Sequence, residues 1–112
     1  MENLKILLCC GAGLSSGFLA QKARKAAKKK GLNIQIEAKS ETEAISHLPT
    51  IDVLLLGPHY EAYREKFTEL GKPLNVSVEV IPQKIYGTLD GEKLLDFAFK
   101  LREKNDASSS AE

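Results

Sequence analysis

Four short apolar runs, each followed by a helix-periodic or polar segment, predict an α/β fold. The expected architecture has three layers: a four-stranded parallel sheet in the order 2-1-3-4 with helices on both faces. Three observations carry this. Residues 51–56, apolar except for Asp52, form a run stopped by Gly57-Pro58, the pattern of a strand covered on both faces. Residues 33–38 and 76–81 alternate apolar with polar, as half-exposed strands do. The segments between the runs are long enough to cross over and return in parallel.

Taken in order, residues 5–9 read as the first strand and residues 14–30 as the first helix. Leu14, Phe18, Leu19, Ala23, Ala26 and Ala27 are expected on its buried stripe. Lys22, Arg24, Lys25, Lys28, Lys29 and Lys30 fall on the other side, and Gly31 suits a C-cap. This basic cluster reads either as a solvated face or as a docking surface for an acidic partner. The strand at 33–38 belongs at an edge. A short helix over 40–46 would be capped by Ser40 or Thr42, with Pro49 ending the connection. After the central strand at 51–56, a helix over 59–70 closes at Gly71-Lys72-Pro73. The strand at 76–81 stops at Pro82. Residues 83–89 read as a loop. A last helix follows Asp90-Gly91, with Asp90 or Thr88 as cap and Leu94, Leu95, Phe97, Ala98 and Leu101 inward. The domain is expected to span residues 1–104, with a disordered tail over 105–112 that has nothing to bury.

The 112 residues suffice for one domain with its own core, and 43% apolar and 28% charged residues are ordinary for a globular chain. Sixteen basic and fifteen acidic residues leave a net charge of +1, which argues against nucleic acid held by bulk electrostatics. No apolar run approaches a membrane span, and the first residues lack a signal-peptide pattern. A soluble, cytoplasmic protein, monomeric in isolation, is expected. Adjacent Cys9 and Cys10 suit neither a disulfide framework nor a zinc site, which fits free thiols in a reducing compartment.

The chemistry concentrates where the first strand turns into the first helix, at Cys9-Cys10-Gly11-Ala12-Gly13-Leu14-Ser15-Ser16-Gly17. A strand-to-helix turn of small residues leaves backbone N–H groups at a helix N-terminus without internal partners, and these suit a phosphate-sized anion. The partial positive charge there, roughly half an elementary unit, favours a thiolate. Cys10 lies at the lip of the loop and is the expected nucleophile for phosphorus. Cys9 still belongs to the strand and is expected to pack as a small apolar residue. The Gly11 to Gly17 amides and the Ser15 and Ser16 hydroxyls would surround the phosphoryl oxygens, with no metal or cofactor required. His59, Lys84 and Tyr86 are candidate rim or partner contacts at the same end of the sheet.

Competing motifs fit less well. A Walker A loop needs a lysine before its Ser/Thr, and residues 11–17 contain none. The glycine spacing of a dinucleotide fingerprint is off, since the third glycine arrives at Gly17. A receiver domain would need carboxylates where Cys10 and Gly57 stand, and no Cys-x-x-Cys is present. The design resembles low-molecular-weight tyrosine phosphatases, in which an arginine follows the cysteine after five residues. Here that position holds Ser16, and no Asp-Pro pair offers a general acid. The loop can accept a phosphoryl group without the groups that would hydrolyse it efficiently. A non-covalent anion- or nucleotide-binding module and a phosphatase-like enzyme stay open as alternatives.

The segments Leu8 to Ser16, Asp52-Val53-Leu54-Leu55-Leu56-Gly57-Pro58 and Tyr86-Gly87-Thr88-Leu89-Asp90-Gly91 together resemble the enzyme IIB components of the phosphoenolpyruvate-dependent sugar phosphotransferase system, lactose/cellobiose (chitobiose) class. The resemblance implies that Cys10 is phosphorylated from a phosphohistidine on a IIA partner. It also implies transfer onward to a β-glucoside, cellobiose or lactose type of sugar bound by a membrane IIC partner. Two features depart from the family pattern: His59 stands where glutamine is common, and Gly17-Phe18 replaces a polar-aliphatic pair.

Overall fold

A computed structural model describes the backbone of residues 4–9 and 14–110 and the side chains of residues 4–9, 17–58 and 60–103. The strands β1 (Leu4–Cys9), β2 (Ile34–Lys39), β3 (Val53–Leu56) and β4 (Ser77–Val80) form one parallel sheet in the order β2-β1-β3-β4. The sequence predicts this order. The helices are α1 (Leu14–Lys29), α2 (Glu41–His47), α3 (Arg64–Gly71), α4 (Gln83–Thr88) and α5 (Gly91–Ser110).

The two central strands are apolar on both sides because both sides are covered. From β1 and β3, Leu4, Ile6, Leu8, Val53 and Leu55 join Ile36, Ile81, Leu19, Ala23, Ala27, Leu94, Leu95 and Ala98 in a core on the α1 and α5 face. The alternate residues Leu7, Cys9, Leu54 and Leu56 join Ala44, Leu48, Phe67 and Val76 on the α2 and α3 face. β2 is an edge strand in which only Ile36 is buried.

The caps follow the residue chemistry. Gly31 takes φ +73 past the end of α1, a conformation open to glycine at no steric cost. Ser40 Oγ accepts the Glu43 N–H at 3.4 Å to cap α2, and Asp90 Oδ1 accepts the Lys93 N–H at 3.1 Å at the start of α5.

The structure differs from the sequence reading in four places. Phe18 is 55% exposed and does not join the buried stripe of α1. The stripe is set by Leu19, Ala20, Ala23, Ala26 and Ala27, and at 100° per residue Phe18 falls among the lysines on the opposite arc. The segment after β3 begins as a 3-10 turn over Pro58–Tyr63, kinked at Tyr60, before α3 starts at Arg64. Residues 83–88, read as a loop, form α4. Pro82 opens it with a fixed φ, and Leu89 closes it in the left-handed region with φ 52. The last helix continues through Ser110, past the position where the tail is expected, because no glycine or proline follows Gly91 to stop it.

One carboxylate organises the amino-terminal edge of the sheet. Asp52 Oδ2 accepts the Lys5 N–H at 3.0 Å, and the Asp52 N–H donates to the Lys5 carbonyl at 2.9 Å. The Asp52 carbonyl accepts from Ser77 N–H at 3.0 Å and from the Arg102 guanidinium at 3.1 Å, which also donates to Asn75 O at 2.7 Å. β1, β3, β4 and α5 are thereby joined at one residue. Asp52→Ala removes a charge-assisted bond and leaves the Lys5 N–H without its side-chain acceptor. It is expected to lower the unfolding free energy by about 1–2 kcal/mol, read from the urea midpoint.

Ser77 has the opposite effect. Its Oγ is buried beside β3 with no hydrogen-bond partner among the described residues. Ser77→Ala removes an unsatisfied hydroxyl, and a gain of about 1 kcal/mol is expected by the same measurement.

Candidate functional site

Parallel sheets place loops of one kind at the carboxyl ends of their strands, and a crevice opens where neighbouring strands send their connections to opposite faces. In this sheet that point lies between β1 and β3. From β1 the chain leaves through α1 toward β2 on one side; from β3 it leaves through the 58–63 turn and α3 toward β4 on the other. The ladder extends just past the assigned strands. Gly57 N–H donates to Cys9 O at 3.0 Å, and Ile81 N–H donates to Leu56 O at 2.7 Å. These bonds set the ends of β1, β3 and β4 side by side and start the following turns at Gly57-Pro58 and Ile81-Pro82.

Cys10, Gly11, Ala12 and Gly13 lie outside the described residues, in the connection from Cys9 at the end of β1 to Leu14 at the start of α1. Leu14, Ser15, Ser16 and Gly17 form the first turn of α1, and Gly17 is exposed, with nothing among the described residues within 4 Å of where a Cβ would stand. The first turn contains no acidic residue to oppose an anion. Cys9 is a fully buried thiol in the cluster with Leu7, Leu54, Leu56 and Phe67. It packs as the small apolar residue that the sequence predicts.

The rim candidates separate in character. The backbone of His59 lies in the Pro58–Tyr63 turn at the end of β3, and its side chain lies outside the described residues. Lys84 is exposed on α4. Tyr86 is half-buried and packs against the α1 and α5 core beside Ile85. The structure thus carries the Gly57–His59 backbone and the 83–86 segment to the same end of the sheet as the β1–α1 connection. Sequence reasoning missed the pair Tyr60 and Tyr63, whose rings meet edge to face with centroids 5.3 Å apart in the turn after β3. Two aromatics three apart after Gly-Pro were a usable signal, hidden by reading the segment as one regular helix.

The guanidinium groups bear on what the site can do. Arg64 makes a two-pronged pair with Glu79, Nε to Oε1 at 2.7 Å and Nη2 to Oε2 at 3.1 Å. Arg102 is bonded to carbonyls at the amino-terminal edge of the sheet, the end opposite the β1–α1 connection. Arg24 sits ten residues along α1 from Leu14, about 15 Å down the helix axis. None of the three occupies the place of a guanidinium closing over a phosphoryl group in the first turn. Among the described residues no group of three His, Cys, Asp or Glu side chains could hold a metal ion. No described helix is long and apolar enough to cross a membrane.

Comparison with known proteins agrees with this arrangement. Residues 5–97 match the family model described as PTS system, Lactose/Cellobiose specific IIB subunit. The chain is 34% identical over 106 residues to the galactose-specific EIIB component of Lactococcus lactis subsp. cremoris (strain MG1363), covering 90% of this chain and 98% of the relative. The same figures hold for the cellobiose-specific EIIB component of Lactococcus lactis subsp. lactis (strain IL1403). A solution structure of the cellobiose-specific IIB protein from Borrelia burgdorferi superposes with a TM-score of 0.76 at 37% identity, over 92% of this chain and 94% of that one. The lactose-specific IIB domain from Streptococcus pneumoniae shares the fold, with a TM-score of 0.81 at 18% identity over 88% and 97%. With almost the full length of these relatives matched and the sheet order the same, the chain belongs to the lactose/cellobiose-specific IIB family of the sugar phosphotransferase system.

Proposed function

We propose that the protein is a cytoplasmic phosphoryl carrier that uses Cys10 as its nucleophile. In the first half-reaction the Cys10 thiolate attacks phosphorus in line, forming an S–P bond as the N–P bond of a phosphohistidine on the IIA partner breaks. In the second, a hydroxyl of a sugar held by the membrane IIC partner attacks the same phosphorus. The S–P bond then breaks, and Cys10 leaves as the thiolate. The Gly11 to Gly17 backbone amides, with the Ser15 and Ser16 hydroxyls, would hold the phosphoryl oxygens through both steps. The sugars suggested by the relatives' names are galactose and cellobiose.

The observation that supports this most directly is the chain position of Cys10. It follows the last residue of a buried central strand, at the sheet's switch point, and precedes the amino end of a sixteen-residue helix. The commitment of Arg64 to Glu79 and of Arg102 to backbone carbonyls favours a carrier over a hydrolase, which would need a guanidinium over the transition-state charge. The test is to incubate the protein with a phosphorylated IIA of a lactose/cellobiose system and weigh it intact. A phosphate-sized gain in mass, discharged on adding membranes that contain IIC together with the sugar, is expected. Absence of any gain leaves only a non-covalent anion-binding role.

A further inference from the structure

The exposed arc of α1 carries a dense cluster of positive charge, and Asp90 and Glu92 at the start of α5 line the groove beside Lys22, Lys25 and Lys29. Lys22, Arg24, Lys25, Lys28 and Lys29 on α1, and Lys30 in the turn after it, are all exposed, and residues 14–30 contain no Asp or Glu. Six of the chain's sixteen basic residues therefore lie within nine positions of a protein whose net charge is only +1. Among the described residues none of the six takes part in an ion pair. The opposite arc, Leu19, Ala20, Ala23, Ala26 and Ala27, is spent on the core, so the helix cannot turn over to insert an apolar face. Phe18 stands on the basic arc at its amino-terminal end, 55% exposed, at i−4 and i−7 from Lys22 and Lys25.

We propose that this arc, from Phe18 to Lys29 with Lys30 in the turn that follows, is an electrostatic docking surface for an anionic phospholipid bilayer. Three features favour lipid over an acidic protein. Five of the six cations are lysines, mobile point charges that suit a diffuse field of phosphate groups. Protein interfaces, by contrast, are depleted of lysine and enriched in arginine. A run of four to eight basic residues on one helix is the pattern that anionic leaflets attract. The exposed Phe18 on the same arc offers a side chain for the headgroup region. The helix is sixteen residues long, about 24 Å, so lying along the membrane it would bring the β1–α1 connection to the bilayer surface. Docking would thereby deliver Cys10 to a membrane-held acceptor. That use rests on the phosphoryl-carrier reading; the binding itself does not.

The experiment is co-sedimentation of the full chain with vesicles of phosphatidylcholine alone or mixed with phosphatidylglycerol, at low and at physiological salt. Partitioning onto the phosphatidylglycerol vesicles, weakening as salt rises, is expected. A Lys22→Gln, Lys25→Gln, Lys29→Gln variant should bind about 100-fold more weakly. A charge-matched control, Lys72→Gln, Lys93→Gln, Lys100→Gln, should bind nearly as well as the parent. Glutamine keeps the helix propensity of lysine, and far-ultraviolet circular dichroism checks the fold. Equal binding to neutral and anionic vesicles, or equal loss in both variants, overturns the proposal. If the parent ignores vesicles while the α1 variant loses phosphoryl uptake from a IIA donor in solution, the arc serves an acidic protein and the lipid assignment is wrong. If the parent binds anionic vesicles but accepts no phosphoryl group, the docking surface stands and the carrier reading fails.

Discussion

Cys10→Ser is expected to abolish phosphoryl uptake from a phosphorylated IIA donor, a loss of about a thousandfold or more in rate, while Cys9→Ala takes up the group as the parent does. A serine hydroxyl is not ionised near neutral pH, and nothing in the sequence around residue 10 supplies a base to ionise it. Cys9 differs from its neighbour in what surrounds it. Its side chain is fully buried among Leu7, Leu54, Leu56 and Phe67, so truncation to alanine deletes one sulfur from a packed cluster. That change is expected to lower stability by about 1–2 kcal/mol and leave the chemistry intact. Intact-mass measurement after incubation with the donor reads the uptake, and urea unfolding reads the stability. Uptake that survives in Cys10→Ser and disappears in Cys9→Ala would reverse the assignment.

The second large effect is structural. Gly91→Ala is expected to destabilise the fold by about 2–3 kcal/mol, whereas Gly87→Ala, four residues earlier, should be neutral or stabilise it by up to about 1 kcal/mol. A Cβ on Gly91 would stand 2.5 Å from the Lys22 carbonyl carbon and 2.6 Å from both the Ala23 nitrogen and the Lys22 oxygen. These are backbone atoms of α1 and cannot rotate away. α5 would have to retreat from α1, opening the core that Ala20, Ala23 and Ala27 share with Leu94, Leu95 and Ala98. Gly87 has nothing within 4 Å of the same point and lies inside α4, where alanine is the better helix former. Urea midpoints of the two variants decide the matter. Equal midpoints would mean that α1 and α5 yield at this contact more readily than their packed backbones imply.

The sheet was legible in the sequence because its signals are redundant. The continuous run at Val53–Leu56, the alternation at 33–38 and the stops at Gly57-Pro58 and Pro82 all agree on the strand order that is observed. What was hidden depended on small angular differences or on chain direction after a break. Phe18 is one position from Leu19, and a 100° step carries it from the core arc to the lysine arc; composition alone does not register that step. α4 is only six residues long, too short for periodicity to show, and Leu89 closes it in a conformation more typical of glycine or asparagine. The kink at Tyr60 divides a stretch that reads as one helix. The family motifs, by contrast, acquire separate physical reasons. Asp52 ties the amino-terminal edge, Gly57 pairs with Cys9, and Gly91 leaves room for the α1 backbone at Lys22 and Ala23.

The pairing of the first helix with the last sets an order on how the molecule is made. α1 carries the first turn of the proposed phosphoryl site, yet its inward face is completed by α5, some seventy residues later in the chain. Contacts so far apart in sequence form late and slow a nascent polypeptide's maturation. A chain still on the ribosome, with residues 91–101 not yet emerged, would therefore expose the alanine stripe of its first helix to chaperones and would carry no phosphoryl group.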